Sequence, residues 1–222
     1  MTSMDMSRTR AVLFDLDGTL ADSAPDLAAA LNRMRDEQGL PPIAESATRP
    51  LTSSGARGLL KAGFGMDPTD SLYEEYKSRF LDYYSASLCV HTRLFPGTET
   101  LLAALESRGL PWGIVTNKAS RFAVPLVAQL GLAMRAACVV SGDTTAHAKP
   151  HPAPLLYAAA AINMAPGDCL YVGDDLRDVQ AARAAGMRSV AVNYGYLGDG
   201  EGPAQWGADA LIDLPEELLA HL

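Results

Sequence analysis

The stretch Ala11-Val12-Leu13-Phe14-Asp15-Leu16-Asp17-Gly18-Thr19-Leu20 restricts what this chain can fold into more than any other. Its short apolar run reads as a strand buried on both faces, and it ends in two carboxylates two positions apart and a glycine turn. In an unbroken strand Asp15 and Asp17 would share a face. Gly18 allows the backbone to turn there, so that both crowd one small volume at the strand's carboxyl end. Like charges at that separation are costly without a cation, a shared proton or strong donors between them. A strand that served only a core would not carry the cost, so the segment points to chemistry.

With 222 residues and 48% hydrophobic content the chain can bury a substantial core, enough for one domain with a modest insertion. A formal net charge of -8 and the absence of a Lys/Arg run exclude a nucleic-acid footprint, so an anionic ligand has to be drawn in by local cations. Cys89, Cys138 and Cys169 are odd in number and lack CxxC spacing, which supports neither a disulfide framework nor a zinc site and suits buried thiols in a reducing cytoplasm. Residues 1–10 are polar and carry no signal-peptide pattern, and the Ala-rich tract 153–165 is too short to span a bilayer. A cytoplasmic protein with no membrane partner is expected.

From Pro96 onward, apolar strand-like runs alternate with helical segments: helix 98–107, strand 112–116, helix 121–130, strand 137–140, helix 154–162, strand 169–172, helix 178–185, strand 189–192, and a short strand 210–212 before a terminal helix. Strands and helices alternating at these distances predict right-handed crossovers and a doubly wound parallel α/β sheet. Residues 22–91 differ in character. Pro25 marks a helix start, Leu27, Leu31 and Met34 form a helical stripe ending near Gly39, and Tyr73, Tyr76, Phe80, Tyr83 and Tyr84 fall at helical spacing. The aromatic stripe is read as a small helical core. No strand pattern occurs in this stretch, so residues 22–91 are expected to form an all-helical cap inserted into an α/β core of residues 1–21 and 92–222.

Open parallel sheets bind ligands beyond the carboxyl ends of their strands. Those ends supply Asp15 and Asp17, then Thr116-Asn117-Lys118, then Gly173-Asp174-Asp175 with Asp178 one turn on, while Lys149 precedes the prolines of Pro150-His151-Pro152. The set suits metal-assisted attack on a phosphate monoester. Asp15 and Asp174 offer the hard oxygens that Mg²⁺ prefers, Thr116 a hydroxyl donor, and Lys149 a charge to tether Asp15 and phosphate. At an effective dielectric of 20, a charge pair at 4 Å is worth roughly 4 kcal/mol before desolvation, enough to overcome the negative field of the chain. Asp175 and Asp178 could order metal-bound waters, and Asp178 could equally cap the following helix.

Asp15-Leu16-Asp17-Gly18-Thr19, Thr116, Lys149 and Gly173-Asp174-Asp175-Leu176-Arg177-Asp178 occur in the order and sheet positions of the four motifs of the haloacid dehalogenase-like hydrolase superfamily. The chain resembles the members with a C1 helical cap over nearly its whole length. The resemblance implies that Asp15 is a nucleophile forming an aspartyl-phosphate and that Asp17 is the general acid and then the base. It further implies that the Asp17 carbonyl joins Asp15 and Asp174 around Mg²⁺. Within the superfamily the chain looks like the phosphoglycolate phosphatase-like enzymes. Trp112-Gly113-Ile114-Val115-Thr116-Asn117-Lys118, Tyr194-Gly195-Tyr196 and Trp206-Gly207-Ala208-Asp209 look more particularly like bacterial N-acetylmuramic acid 6-phosphate phosphatases. Either relation implies a small phosphorylated acid or sugar acid as substrate.

An acid group calls for a second cation. Arg57, in the glycine-flanked Ser53-Ser54-Gly55-Ala56-Arg57-Gly58, is the candidate, with Thr19 and Asn117 as further substrate-binding residues. His91, His147, His151 and His221 lack metal-ligand spacing, with His151 placed near the phosphate by location alone; Trp112 and Trp206 read as packing residues, and Lys118 as a solvated surface charge. Two readings of other classes share much of this pattern: a phosphoacceptor signalling module, against which Asp17 and the cap argue, and a phosphomutase.

Overall fold

Ala11, Val12, Leu13 and Phe14 are all buried because their strand runs through the middle of a parallel sheet covered on both faces. The computed structural model describes residues 9–198 and 200–222, so the leader expected at residues 1–10 lies largely outside the described residues. In chain order these form β1 (Ala11–Phe14), β2 (Ala21–Asp22), α1 (Ala24–Asp36), α2 (Glu45–Thr48), α3 (Gly55–Phe64), α4 (Tyr73–Ala86), β3 (Arg93–Leu94), α5 (Thr98–Ser107), β4 (Trp112–Val115), α6 (Ser120–Gln129), β5 (Val139–Val140), α7 (Ala153–Ala161), β6 (Cys169–Gly173), α8 (Leu176–Ala185), β7 (Arg188–Val192) and β8 (Ala210–Ile212). Short 3-10 helical pieces occupy Arg49–Ser54 and Pro215–His221.

The main sheet has the order β5-β4-β1-β6-β7-β8, and every pairing in it is parallel. This is the doubly wound α/β sheet that the alternation predicts. The chain leaves β1 for β4 on one side and returns to β6 on the other, so the order reverses at β1. Such a reversal splays the connecting loops apart and leaves a crevice above the carboxyl ends of β4, β1 and β6. No helix is long and apolar enough to cross a membrane among the described residues.

Helices α1 to α4 all lie between β2 and β3. Leu27, Leu31 and Met34 of α1 pack with Leu59 and Leu60 of α3 and with Phe80 and Tyr84 of α4. The aromatic stripe of α4 divides by face: Tyr73, Phe80 and Tyr84 are buried, whereas Tyr83 turns outward and donates its hydroxyl to Glu37 at 2.6 Å. One expectation fails here. Residue 22 belongs to a strand, since β2 and β3 pair antiparallel with Ala21 opposite Leu94 and Asp22 opposite Arg93. A two-residue ribbon is too short to show alternation, so no pattern announces it. The expected terminal helix is likewise replaced by 3-10 turns from Pro215.

The ends of the helical segment are tied together by Asp26, in the first turn of α1. Its carboxylate accepts from His91 N at 2.9 Å, from Thr92 N at 2.9 Å and from the Thr92 hydroxyl at 2.7 Å, with Asp26 and Thr92 both buried. Across from it, the Tyr196 hydroxyl accepts from Ser23 N at 2.7 Å and Ala24 N at 2.9 Å. That satisfies two amides at the start of α1 from a distant loop. Asp26→Ala leaves the two buried donors of Thr92 and the His91 amide without their acceptor and is expected to cost about 2–4 kcal/mol, with Asp26→Asn losing less. Thermal unfolding followed by circular dichroism measures both.

Candidate active site

The carboxyl ends of β1, β4 and β6 bring three loops to one place, and Lys149 reaches them from the turn before α7. Its side chain is almost fully buried, with Nζ 2.9 Å from Asp15 Oδ1, 2.7 Å from Asp178 Oδ1, 2.8 Å from the Tyr171 hydroxyl and 3.0 Å from the Val115 carbonyl. Burial opposes the ammonium, but Asp15 and Asp178 outweigh it and hold its pKa above the ordinary lysine value. Asn117 spends both ends of its amide on this residue, accepting from Lys149 N and donating to the Lys149 carbonyl at 2.9 Å each. Asn117 therefore braces Lys149 through its backbone, and it also lines the cavity described below.

Asp15, Asp174 and Asp178 each offer a carboxylate oxygen within 4.8 Å of the others. Asp174 and Asp178 are 1% and 2% exposed. Burial pushes the Asp174 carboxyl well above the usual aspartate range, and repulsion from Asp15 and Asp178 adds to it. Burial likewise lifts Asp178 to about 7, with Lys149 pulling the other way and Asp15 pushing up. Among the described residues Asp174 has no cationic partner; it accepts from the Thr19 hydroxyl at 3.0 Å and from Tyr196 N at 2.9 Å. Hard oxygen donors gathered without enough positive charge fit a divalent cation such as Mg²⁺. The backbone makes room for that arrangement. Gly18 has φ +86°, and a Cβ on it would lie 2.0 Å from Asp174 Oδ2.

Asp17 stands apart from this trio. Its carboxylate accepts from Lys118 Nζ at 3.0 and 3.1 Å and from the Ser23 hydroxyl at 2.5 Å. The strand ends at Phe14; Asp15 and Asp17 line one cavity, and each carboxylate meets a different lysine. Lys118 is thus no solvated surface charge: its side chain is 9% exposed and lies 4.7 Å from the centre of the Tyr84 ring, which comes from α4. Burial works against its charge, and Asp17 more than compensates, keeping it raised. The Thr116 hydroxyl is buried and accepts from Lys118 N at 3.2 Å, which leaves its own proton available to an anion.

Asp175 and Asp178 form a capping box on α8, so Asp178 accepts from Asp175 N with Oδ2 while its Oδ1 pairs with Lys149. Thr19 is fully buried with its hydroxyl on Asp174, away from the cavity wall that a substrate would touch. Arg57 is exposed and lines a different cleft, with Leu51, Gly58 and Lys61. His151 is also exposed, its Nδ1 accepting from Ala153 N at 3.1 Å.

Above Asp15, Asp17, Thr116 and Lys149 opens a cavity of about 400 Å³. Its wall combines Leu27, Phe80, Leu81, Tyr84 and Phe122 with the cations Lys77, Arg121 and Arg177. Arg177 binds Asp175 through Nε and Nη2 and donates to the Ser53 carbonyl of the helical segment at 2.7 Å. None of these three cations was singled out from the sequence. Arg121 lies three residues beyond Lys118 and Arg177 two beyond Asp175, at the same end of the sheet, and that position is the signal that could have found them.

In the metal-free protein, Asp174 and Asp178 keep protons that the unfolded chain releases near pH 4. Their contribution to stability is full below that value and is lost as pH rises, for Asp178 through about 7. Added Mg²⁺ should therefore raise the melting temperature more at pH 8 than at pH 5, since less proton release accompanies binding at the higher pH. Melting curves with and without chelator at both values check this.

A model of the haloacid dehalogenase-like hydrolases matches residues 12–192. An N-acetylmuramic acid 6-phosphate phosphatase from Pseudomonas putida is 46% identical over 211 residues, covering 95% of each chain. A phosphoglycolate phosphatase from Xanthomonas campestris pv. campestris is 49% identical over 211 residues, covering 94% of each. A crystal structure described as a predicted phosphoglycolate phosphatase from Haemophilus somnus superposes with a TM-score of 0.85 at 30% identity, covering 97% of this chain and 99% of that one.

Proposed function

The chain belongs to the haloacid dehalogenase-like hydrolase family, and on that premise we propose that it is a Mg²⁺-dependent phosphatase of the cytoplasm. It hydrolyses a small phosphorylated acid through an aspartyl-phosphate, as a phosphoglycolate phosphatase does. The observation that carries this reading is the meeting of Asp15, Asp174 and Asp178 within 4.8 Å, with Lys149 2.9 Å from Asp15. Three free thiols suit a reducing compartment.

Asp15 is the nucleophile: its carboxylate oxygen bonds to phosphorus as the ester P–O bond breaks, and Asp17 gives the departing oxygen a proton. Asp17 then takes a proton from water. The oxygen of that water attacks phosphorus, the Asp15–phosphorus bond breaks, and inorganic phosphate leaves. Lys118 and Ser23 hold Asp17 for both transfers. Thr116 donates to a phosphoryl oxygen, and Lys149 orients Asp15. Asp15, Asp174 and the Asp17 carbonyl would hold Mg²⁺, which when bound draws charge from the phosphoryl oxygens. Residues 22–91 act as a cap that excludes water from this chemistry, set on a core of residues 1–21 and 92–222.

A second substrate within the same chemistry is N-acetylmuramic acid 6-phosphate. What favours it is the cavity: about 400 Å³ with an apolar wall of Leu27, Phe80 and Phe122 falls in the size range that encloses molecules far larger than a two-carbon acid.

Phosphate release from 2-phosphoglycolate and from N-acetylmuramic acid 6-phosphate, compared as kcat/KM with Mg²⁺ present, tests the reading and ranks the two. Asp15→Asn should reduce release to background and Asp17→Asn should lower it roughly 10²–10⁴-fold. An Asp15→Asn variant that turns over normally removes the proposal. A phosphoryl group persisting for minutes on Asp15 would point to signalling, and isomerised hexose phosphates without free phosphate to a mutase.

A further inference from the structure

We propose that Arg121 reads the acid group of the substrate, in the place the sequence suggested for Arg57; the inference rests on the phosphatase reading above. A substrate that joins a phosphate to a carboxylate needs two anion sites. The first is supplied by Thr116, Lys149 and a cation on the acidic trio. The second calls for a cation that lines the same cavity and is not already neutralised.

Five cations line the cavity: Lys77, Lys118, Arg121, Lys149 and Arg177. Four are committed. Lys149 lies against Asp15 and Asp178, Lys118 against Asp17 at 3.0 Å, Arg177 against Asp175 at 2.7 Å, and Lys77 against Glu74 at 3.2 Å. The same pairs account for every carboxylate on the cavity wall, namely Asp15, Asp17, Asp175 and Asp178. Arg121 is left: no carboxylate lies within ion-pair distance of it among the described residues, and its guanidinium rests 4.5 Å from the centre of the Phe122 ring. In a chain of net charge -8, an unneutralised arginine on the rim of this cavity concentrates positive potential where an acid would enter.

Its position sets the geometry of recognition. Arg121 stands in the first turn of α6, five residues beyond Thr116, and lines the same cavity as Thr116 and Lys149. Neither Arg121 nor Thr116 belongs to the helical segment, so the spacing between the two anion sites does not depend on how that segment sits. Phe122 beside it offers an apolar floor, and the planar guanidinium matches a carboxylate with two parallel N–H donors. Arg57, by contrast, points into another cleft on α3.

The test compares acid substrates with counterparts that lack the carboxylate: 2-phosphoglycolate with 2-hydroxyethyl phosphate, and N-acetylmuramic acid 6-phosphate with N-acetylglucosamine 6-phosphate. Arg121→Gln should lower kcat/KM for the acid member of a pair by about 10- to 100-fold, mainly through KM. The neutral member should change less than about 3-fold, since it forms no charged hydrogen bond to lose, and Arg121→Lys should recover part of the loss. Equal losses for both members, no loss for either, or a selective loss in Arg57→Ala instead would overturn this inference while leaving the phosphatase reading intact. Wild-type protein that releases no phosphate from any of the four overturns that reading, and this inference with it.

Discussion

The rest of the site depends on buried carboxylates kept close together by buried lysines. Lys149 touches Asp15 and Asp178 and is itself braced by Asn117, Tyr171 and the Val115 carbonyl. Two charges taken out of water lose several kcal/mol of hydration each, and only close pairing with every donor satisfied recovers it. The lysine has more acceptors around it than protons to give. Asp174, with hydroxyl and amide donors but no cation of its own, remains the member whose charge is least offset. That imbalance makes the cluster a place for a divalent ion, where a fully neutralised one would be only structural.

The same side chains that hold the carboxylates also join the helical segment to the sheet. Lys118 binds Asp17 and lies beneath the Tyr84 ring of α4, whose edge also approaches Phe122 of α6 with centres 5.6 Å apart. Arg177 connects Asp175 with the Ser53 carbonyl. Tyr196 donates its backbone N–H to Asp174 and accepts from two amides at the start of α1. A displacement of the helical segment would therefore be felt at Asp17, Asp175 and Asp174. Coupling of this kind is physical because each link is a hydrogen bond or ring contact with one partner on either side.

Much of the architecture was legible because it is periodic. A buried strand ending in carboxylates, repeated alternation of strand and helix, and the stripe of Leu27, Leu31 and Met34 each leave a regular mark. Residues whose role comes from a single distant contact leave none. Lys118 looked like a surface charge because nothing nearby in sequence says that Asp17 and Tyr84 enclose it. Thr19 and Asn117 also hold Asp174 and Lys149 in place, a task that only distant contacts reveal. Arg57 was drawn in by neighbouring glycines, a local cue, whereas helix α3 turns its side chain to another cleft.

By itself the sequence determined that a parallel sheet would collect Asp15, Asp174, Thr116 and Lys149 at one end, since strand order and crossover hand leave few other outcomes for such a pattern. Only the tertiary structure decided how charges are shared out: which lysine goes to which aspartate, which arginine stays free, and which oxygen of Asp178 caps a helix and which meets Lys149. The reason lies in range. Periodicity is written in residues a few positions apart, but charge pairing depends on ångström distances between residues as far apart as Asp17 and Lys118, and those are set only when the chain closes on itself.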